Sequence, residues 1–157
     1  MLIELSQWAQ RQSESLSQLS LATTLMLTGL IWVIQLVHYP SFRFIDESRF
    51  ADFHRFHTLS ISLIVIPLML TELVTGSCRF LMFMDQSIAD PIIVWGERVA
   101  IFPLLGVWGS TFFIQVPLHE RLALSRDPQL IEALVQSNWI RTGLWSLRAG
   151  LLYFLTR

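Results

Sequence analysis

The chain has 157 residues, of which 53% are hydrophobic and only 15% are charged, so it is too apolar for an ordinary soluble domain. Its formal net charge of −1 and the lack of a basic run exclude an electrostatic surface for nucleic acid. Because one membrane crossing takes roughly 20 apolar residues, this length has room for about four crossings and short connections. The composition therefore predicts a single-domain integral membrane protein that is surrounded by lipid.

Two segments have the residue spacing of short helices that lie in the membrane interface. Residues 1–18 place apolar side chains among Gln, Glu and Ser, a pattern typical of an amphipathic helix or of a frayed terminus. Residues 41–56 are polar and aromatic, and their helical spacing predicts a segment that runs along the surface before the chain enters the membrane again.

Four apolar segments predict membrane crossings, at about residues 19–39, 57–77, 92–116 and 139–157. Pro40 and Pro117 are expected to end the first and third crossings, because proline lacks a backbone N–H and restricts the residue before it. Pro67 predicts a kink in the second crossing. Asp127 followed by Pro128 is typical of a helix start and leads into the fourth. The predicted fold is all-α, an integral membrane four-helix up-down bundle with short interfacial helices.

Alternating crossings bring the ends of the first and third segments to the same membrane face as the starts of the second and fourth. All four histidines of the chain fall at this face, namely His38, His54, His57 and His119. Asn138 and Arg141 open the fourth segment there. More Arg residues belong to this face than to the other, so the positive-inside rule predicts that it faces the cytoplasm, in a bacterial inner membrane.

Imidazole is the commonest protein ligand for transition metals, and His54 and His57 stand one helical turn apart. With His38 and His119 from neighbouring helices they predict a site for iron, copper or zinc, which would need one open position for catalysis. Two nearby carboxylates are possible further ligands, Asp52 and Glu120. Three alternatives stay open: a haem held by two of the histidines, acid–base chemistry without a metal, and simple hydrogen bonding at the membrane interface.

Polar side chains also follow one face of each predicted helix, as a hydrated or reactive bundle interior requires. Asn138 and Arg141 are suited to hold a carboxylate, quinone or phenolate oxygen. Burying an unpaired ion in hydrocarbon costs at least about 3 kcal/mol, so Glu72 and Arg148 are expected to face inward and to pair, with Arg98 as a competing partner for Glu72. Such a pair serves either helix packing or the transfer of substrate or protons. We predict Arg141, Asn138, Glu72 and Arg148 as candidate catalytic residues.

The third crossing has a comparable stripe, in which Trp108, Thr111 and Gln115 lead toward His119. Trp139 and Trp145 in the fourth crossing could form an aromatic wall for a ligand, or serve as an interfacial anchor and a packing residue.

Four motifs, HYPSF, FHRFH, PLHERL and NWIRTGLWSLR, resemble those of a small four-helix bacterial membrane family of uncharacterised function. Asn138 and Arg141 followed by Trp145 are similar to the last helix of the anthrone-oxygenase-like membrane family. That resemblance implies oxygenation of polyphenolic substrates.

These features together predict a membrane-embedded, metal-dependent oxidoreductase or oxygenase-like protein that acts on a hydrophobic, oxygen-bearing small molecule. One alternative is a non-catalytic accessory or assembly subunit, whose apolar surface packs in a larger membrane complex or a homo-oligomer. Others are a haem-binding membrane protein and a transporter or proton pathway that uses Glu72 and Arg148.

Overall fold

A computed structural model of the chain describes residues 2–84 and 90–156, with side chains from residue 11 onward. Within these ranges nearly every residue is helical and none forms a strand. The predicted all-α class is therefore confirmed. Asp85, which we expect in the turn between the second and third crossings, lies outside the described residues, as does Arg157 at the end of the fourth.

Four long helices, which we label α1 to α4 in chain order, make up the described fold. Helix α1 comprises Leu2–Val33, the π-helical turn Ile34–His38, the α-helical turn Tyr39–Ser41 and the 3₁₀ turn Phe42–Phe44. The other three are α2, Glu47–Met84, α3, Pro91–Leu124, with a second π-helical turn at Thr111–Gln115, and α4, Pro128–Leu155.

Three of these helices, α1, α2 and α3, are long and apolar enough to cross a membrane. Helix α4 has 28 residues and would span about 42 Å at 1.5 Å per residue, although its face toward the other helices carries several polar side chains. Helix α1 packs mainly against α2 and α4, and α3 packs mainly against α4. Their contacts enclose an apolar core around Leu27, Ile31, Val107 and Leu134.

The helices extend beyond the predicted crossings, and the two prolines do not end them. Each proline follows a π-helical turn: the N–H of Tyr39 bonds to the carbonyl of Ile34 before Pro40, and the N–H of Val116 bonds to that of Thr111 before Pro117. The wider turn accommodates a residue that has no N–H and whose ring would crowd the preceding turn of a regular helix. The predicted helix ends at residues 39 and 116 are therefore too early.

The predicted interfacial segments are not separate helices in this structure. Residues 2–18 form the first turns of α1, and residues 47–56 form the first turns of α2. Two residues, Ile45 and Asp46, separate the 3₁₀ turn at the end of α1 from the start of α2. Helix α2 also continues without a break through Pro67, whose carbonyl accepts a hydrogen bond from the Thr71 hydroxyl.

Candidate functional site

The four histidines come together in one place, which we call the histidine cluster. Nε2 of His38 lies 2.6 Å from Nδ1 of His57, and Nε2 of His54 lies 3.0 Å from Nδ1 of His119. The two pairs are adjacent, because the ring centroids of His57 and His119 are 5.6 Å apart. Helices α1, α2 and α3 each contribute to the cluster, as their order along the chain predicts.

Aromatic side chains pack beneath the histidine cluster and restrict its rings. The Phe42 ring is fully buried and makes edge contacts with His57 and His38, at centroid distances of 5.2 Å and 5.4 Å. Phe50 stacks on His54 with 21° between the ring planes. Because His54 and His57 are also buried, their nitrogens have little access to water and must find partners within the protein.

Tyr39 connects the cluster to α4. Its hydroxyl lies 3.0 Å from Nε2 of His119, and it interacts electrostatically with the guanidinium of Arg141. Both ring nitrogens of His119 are therefore engaged, whereas Nε2 of His57 is buried and has no hydrogen-bond partner among the described residues. The sequence pattern did not single out Tyr39, although its position between His38 and Pro40 places it on the turn that forms the site.

The nitrogens of the cluster face each other in pairs and do not converge on one point. In the described part of the chain, no three His, Cys, Asp or Glu side chains are arranged to hold a metal ion. Of the two carboxylates considered as further ligands, Glu120 lines a cavity together with His54 and His119. Asp52 lines a different cavity that has no histidine in its wall.

Arg141 is buried, with 5% of its surface exposed, and takes part in none of the ion pairs found among the described residues. Its Nη1 donates weakly to Oδ1 of Asn138 at 3.4 Å, and its guanidinium lies 5.1 Å from the centre of the Trp145 ring. Asn138 in turn donates to Oε1 of Gln35, and Gln35 donates to the carbonyl of Val135. This network holds the start of the α4 stripe against α1.

A cavity of about 390 Å³ adjoins the cluster, and we call it the bundle cavity. Most of its wall is apolar. The polar or amphipathic side chains of the wall are Tyr39, Ser62, Trp108, Thr111, Gln115, His119 and Arg141. The predicted stripe from Trp108 through Gln115 to His119 therefore lines the same cavity as Arg141.

Glu72 and Arg148 lie apart from this site. Fifteen residues of continuous helix separate Glu72 from His57, which corresponds to about 22 Å. Glu72 bonds to Arg148 as predicted, whereas Arg98 donates to the carbonyls of Phe83 and Met84 and is not the partner of Glu72.

A second buried ion pair, between Arg79 and Glu97, was not predicted from the sequence. The two residues flank the connection between α2 and α3 with opposite charges, which is the signal that could have indicated the pair.

The two tryptophans of α4 have different environments. Trp145 is buried beneath Arg141 and donates to Glu72, so it is a packing and hydrogen-bonding residue. Trp139 is 47% exposed and makes an edge contact with Trp32. Neither lines the bundle cavity, where the aromatic wall comes instead from α3.

Comparisons with known proteins found no match for this chain. No family model matches the chain, and no match was found among curated proteins or solved structures.

Proposed function

We propose that the chain is a membrane-embedded, metal-dependent oxidoreductase that acts on a hydrophobic, oxygen-bearing molecule. In this proposal α4 crosses the bilayer together with the other three helices, in a bacterial inner membrane with the histidine cluster toward the cytoplasm. The observation that carries the proposal is the contact of four histidines from three helices at the edge of an apolar cavity that also holds Arg141.

The meeting of four imidazoles from three helices supports a metal ion in the cluster. Neighbouring nitrogen ligands of an octahedral ion, each about 2.1 Å from the metal, lie about 3.0 Å apart. His54 and His119 have this separation, whereas His38 and His57 are closer together, at 2.6 Å. Binding one ion requires the side chains of the two pairs to turn toward a common point, and the unpartnered Nε2 of His57 is available as a ligand atom.

The proposed chemistry is one-electron oxidation at copper or iron, because zinc has no redox chemistry. With a hydroquinone as substrate, two O–H bonds would break and the protons would leave through His119 and Tyr39, while a copper or iron ion held by the histidines would supply one-electron redox chemistry. Dioxygen takes the two electrons and two protons and forms hydrogen peroxide, so the reaction balances. Arg141 would hold the substrate oxygen as it gains negative charge, and Asn138 would position Arg141.

The geometry of Glu72 and Arg148 supports a different role for these two residues. Both make hydrogen bonds to protein groups, and neither lines the bundle cavity. We therefore assign them to helix packing and not to the proposed reaction.

Metal analysis and an optical spectrum of detergent-purified protein test the proposal. The variants are His57→Ala and His119→Ala, with Phe113→Leu as the control, because Phe113 is 84% exposed and lies on the same helix as His119. We expect about one copper or iron per chain in the parent and control proteins, and loss of most of it in the histidine variants.

A protein that is free of metal and colourless after expression with copper and iron would contradict the proposal and favour the accessory-subunit alternative. Zinc alone would retain the metal site but exclude the redox chemistry. A haem spectrum that disappears in the histidine variants would show that the histidines bind haem and not a single metal ion.

A further inference from the structure

Three buried polar atoms without a hydrogen-bond partner belong to side chains that line the bundle cavity. They are Nε1 of Trp108, Oε1 of Gln115 and Nε of Arg141. Seven such atoms occur among the described residues, so nearly half of them belong to this one cavity. A buried polar atom without a partner is unfavourable, because it has given up its hydrogen bonds to water. Their concentration in a largely apolar wall indicates a ligand that supplies the missing partners.

The three atoms also specify the polarity of that ligand. Trp108 and Arg141 present N–H donors, whereas Gln115 presents a carbonyl acceptor. The orientation of the Gln115 amide follows from its neighbour: the Ser137 hydroxyl donates to the carbonyl of Leu134, so the Ser137 oxygen accepts from Nε2 of Gln115. Oε1 of Gln115 is therefore the atom left for a ligand, and it requires a ligand that donates a hydrogen bond.

Trp108 and Gln115 are seven residues apart on α3, with the π-helical turn between them, and both line the bundle cavity. A ligand that satisfies both needs an oxygen at one end to accept from Trp108 and a hydroxyl at the other end to donate to Gln115. Arg141 is a buried cation without an acidic partner among the described residues, and it favours an oxygen that carries partial or full negative charge.

The cavity is bounded toward the outside by exposed apolar side chains of two neighbouring helices. Ile66 and Leu70 of α2 and Phe112 and Val116 of α3 line it and are between 39% and 56% exposed. In a helix pair that crosses a membrane, such residues face lipid. A ligand that is dissolved in the bilayer can therefore reach the cavity from the side, without passing through water.

We propose that the bundle cavity binds the reduced, hydroxyl-bearing form of a lipid-soluble quinone in preference to the oxidised form. One hydroxyl of the hydroquinone donates to Oε1 of Gln115, and the opposite oxygen accepts from Trp108 and Arg141. A quinone has only carbonyl acceptors and leaves Gln115 without a partner, so Gln115 determines the specificity. This inference deepens the substrate class of the proposed function, but the binding itself requires no metal.

The experiment compares three ligands on protein from which metal has been removed with a chelator. Binding of a short-tailed ubiquinol, the corresponding quinone and the quinol dimethyl ether is measured by calorimetry in detergent, without oxygen. The dimethyl ether keeps the ring and tail of the quinol but carries a methyl group on each oxygen and cannot donate a hydrogen bond. We expect the quinol to bind at least about tenfold more tightly than the other two, because a site built to pair with a hydroxyl discriminates against analogues that lack it.

Two variants assign the preference to individual atoms. Gln115→Leu is expected to reduce the preference for quinol over quinone to less than about twofold. Trp108→Phe removes the N–H donor together with part of the indole ring and is expected to weaken the binding of quinol and of quinone to a similar extent, about fivefold. Phe113→Leu, which alters the exposed side of the same helix, is the matched control and should bind as the parent protein does.

Equal affinity for the three ligands, or no binding of the quinol, would overturn the inference even if the Gln115 variant does not fold, since this comparison uses the parent protein. Retention of the preference in a folded Gln115→Leu protein would also overturn it. A protein that purifies without metal but prefers quinol would support this inference and contradict the metal proposal. A protein that binds metal but does not bind the quinol would contradict this inference and support the metal proposal.

Discussion

The carboxylate of Glu72 and the guanidinium of Arg148 form an ion pair between α2 and α4, with Oε1 and Nε 3.1 Å apart. Both side chains are almost completely buried. Glu72 also accepts hydrogen bonds from the Thr24 hydroxyl and from Nε1 of Trp145, and Arg148 donates to the carbonyl of Ala100. One pair of opposite charges therefore links all four helices, since Thr24 belongs to α1 and Ala100 to α3.

Removing one charge of this pair should destabilise the protein more than removing both. Glu72→Gln leaves Arg148 as a buried cation without a counter-charge and should cost about 3–5 kcal/mol. The double variant Glu72→Leu with Arg148→Met replaces the pair by apolar side chains and should cost less than Glu72→Leu or Arg148→Met alone, because no buried charge remains. Equilibrium unfolding in mixed detergent micelles measures both. Additive losses in the double variant would contradict the pairing.

Gly76 lies against Arg148, and a methyl group there should disturb the ion pair. A Cβ at residue 76 would lie 2.6 Å from Nη2 of Arg148 and 2.8 Å from Cδ2 of Leu104. Arg148 is held in place by its hydrogen bonds to Glu72 and Ala100 and cannot move away freely from an added methyl group. Gly76→Ala should therefore lower the unfolding free energy by about 1–3 kcal/mol. Gly143→Ala is the matched control: nothing lies within 4 Å of its Cβ position, and it should stabilise the helix by up to about 1 kcal/mol. In thermal unfolding, the melting temperature should fall for Gly76→Ala and rise for Gly143→Ala. Similar shifts in the two variants would contradict the contact between residue 76 and Arg148.

Two arginines near the α2 and α3 connection should differ sharply in their effect on stability. Arg79 donates to both carboxylate oxygens of Glu97, and both residues are buried. Arg79→Leu leaves Glu97 as an unpaired buried anion and should cost about 3–5 kcal/mol. Among the described residues, Arg98 donates to backbone carbonyls and lies over the Trp95 ring, so Arg98→Leu should cost about 1 kcal/mol or less. Chemical unfolding measures the loss of unfolding free energy in the two variants. Equal losses would contradict the prediction that the buried ion pair makes Arg79 more important for stability than Arg98.

The Arg43 and Glu132 pair should make stability depend on pH at acidic values. Hydrogen bonds from Gln136 and Arg43 lower the pKa of Glu132 from its ordinary value of 4.5. The folded state therefore favours the ionised carboxylate, and this stabilisation is present above pH 4.5 and disappears as the pH falls through the lowered pKa. Glu132→Gln should lower the melting temperature slightly at pH 7, and this difference should shrink as the pH falls below 4.5 through the lowered pKa of Glu132.

Glu47→Gln provides the control for this titration, because it also removes one exposed carboxylate, and Glu47 takes part in none of the ion pairs of the described residues. A melting-temperature difference between the parent and the Glu132 variant that is the same at pH 3 and pH 7 would contradict the assigned pair.

Much of the architecture could be predicted because it depends on composition and chain order. Apolar segments of sufficient length predict helices that can cross a membrane, and alternation of the segments places their ends together. The meeting of His38, His57 and His119 follows from that order. Helix ends were less predictable, since Pro40 and Pro117 normally end a helix, and the π-helical turns that accommodate them depend on packing against neighbouring helices.

The sequence by itself determined the all-α class, the apolar character of the helices and the gathering of polar residues at one end, because hydrophobic length and periodicity act along the chain. Only the tertiary structure decided that Arg148 pairs with Glu72, that Arg98 does not, and that Tyr39 joins His119 to Arg141. It also decided which polar atoms around the bundle cavity remain without partners. Hydrogen bonds and ion pairs require particular atoms to approach within about 3 Å, and such distances depend on how the helices are rotated and packed against one another.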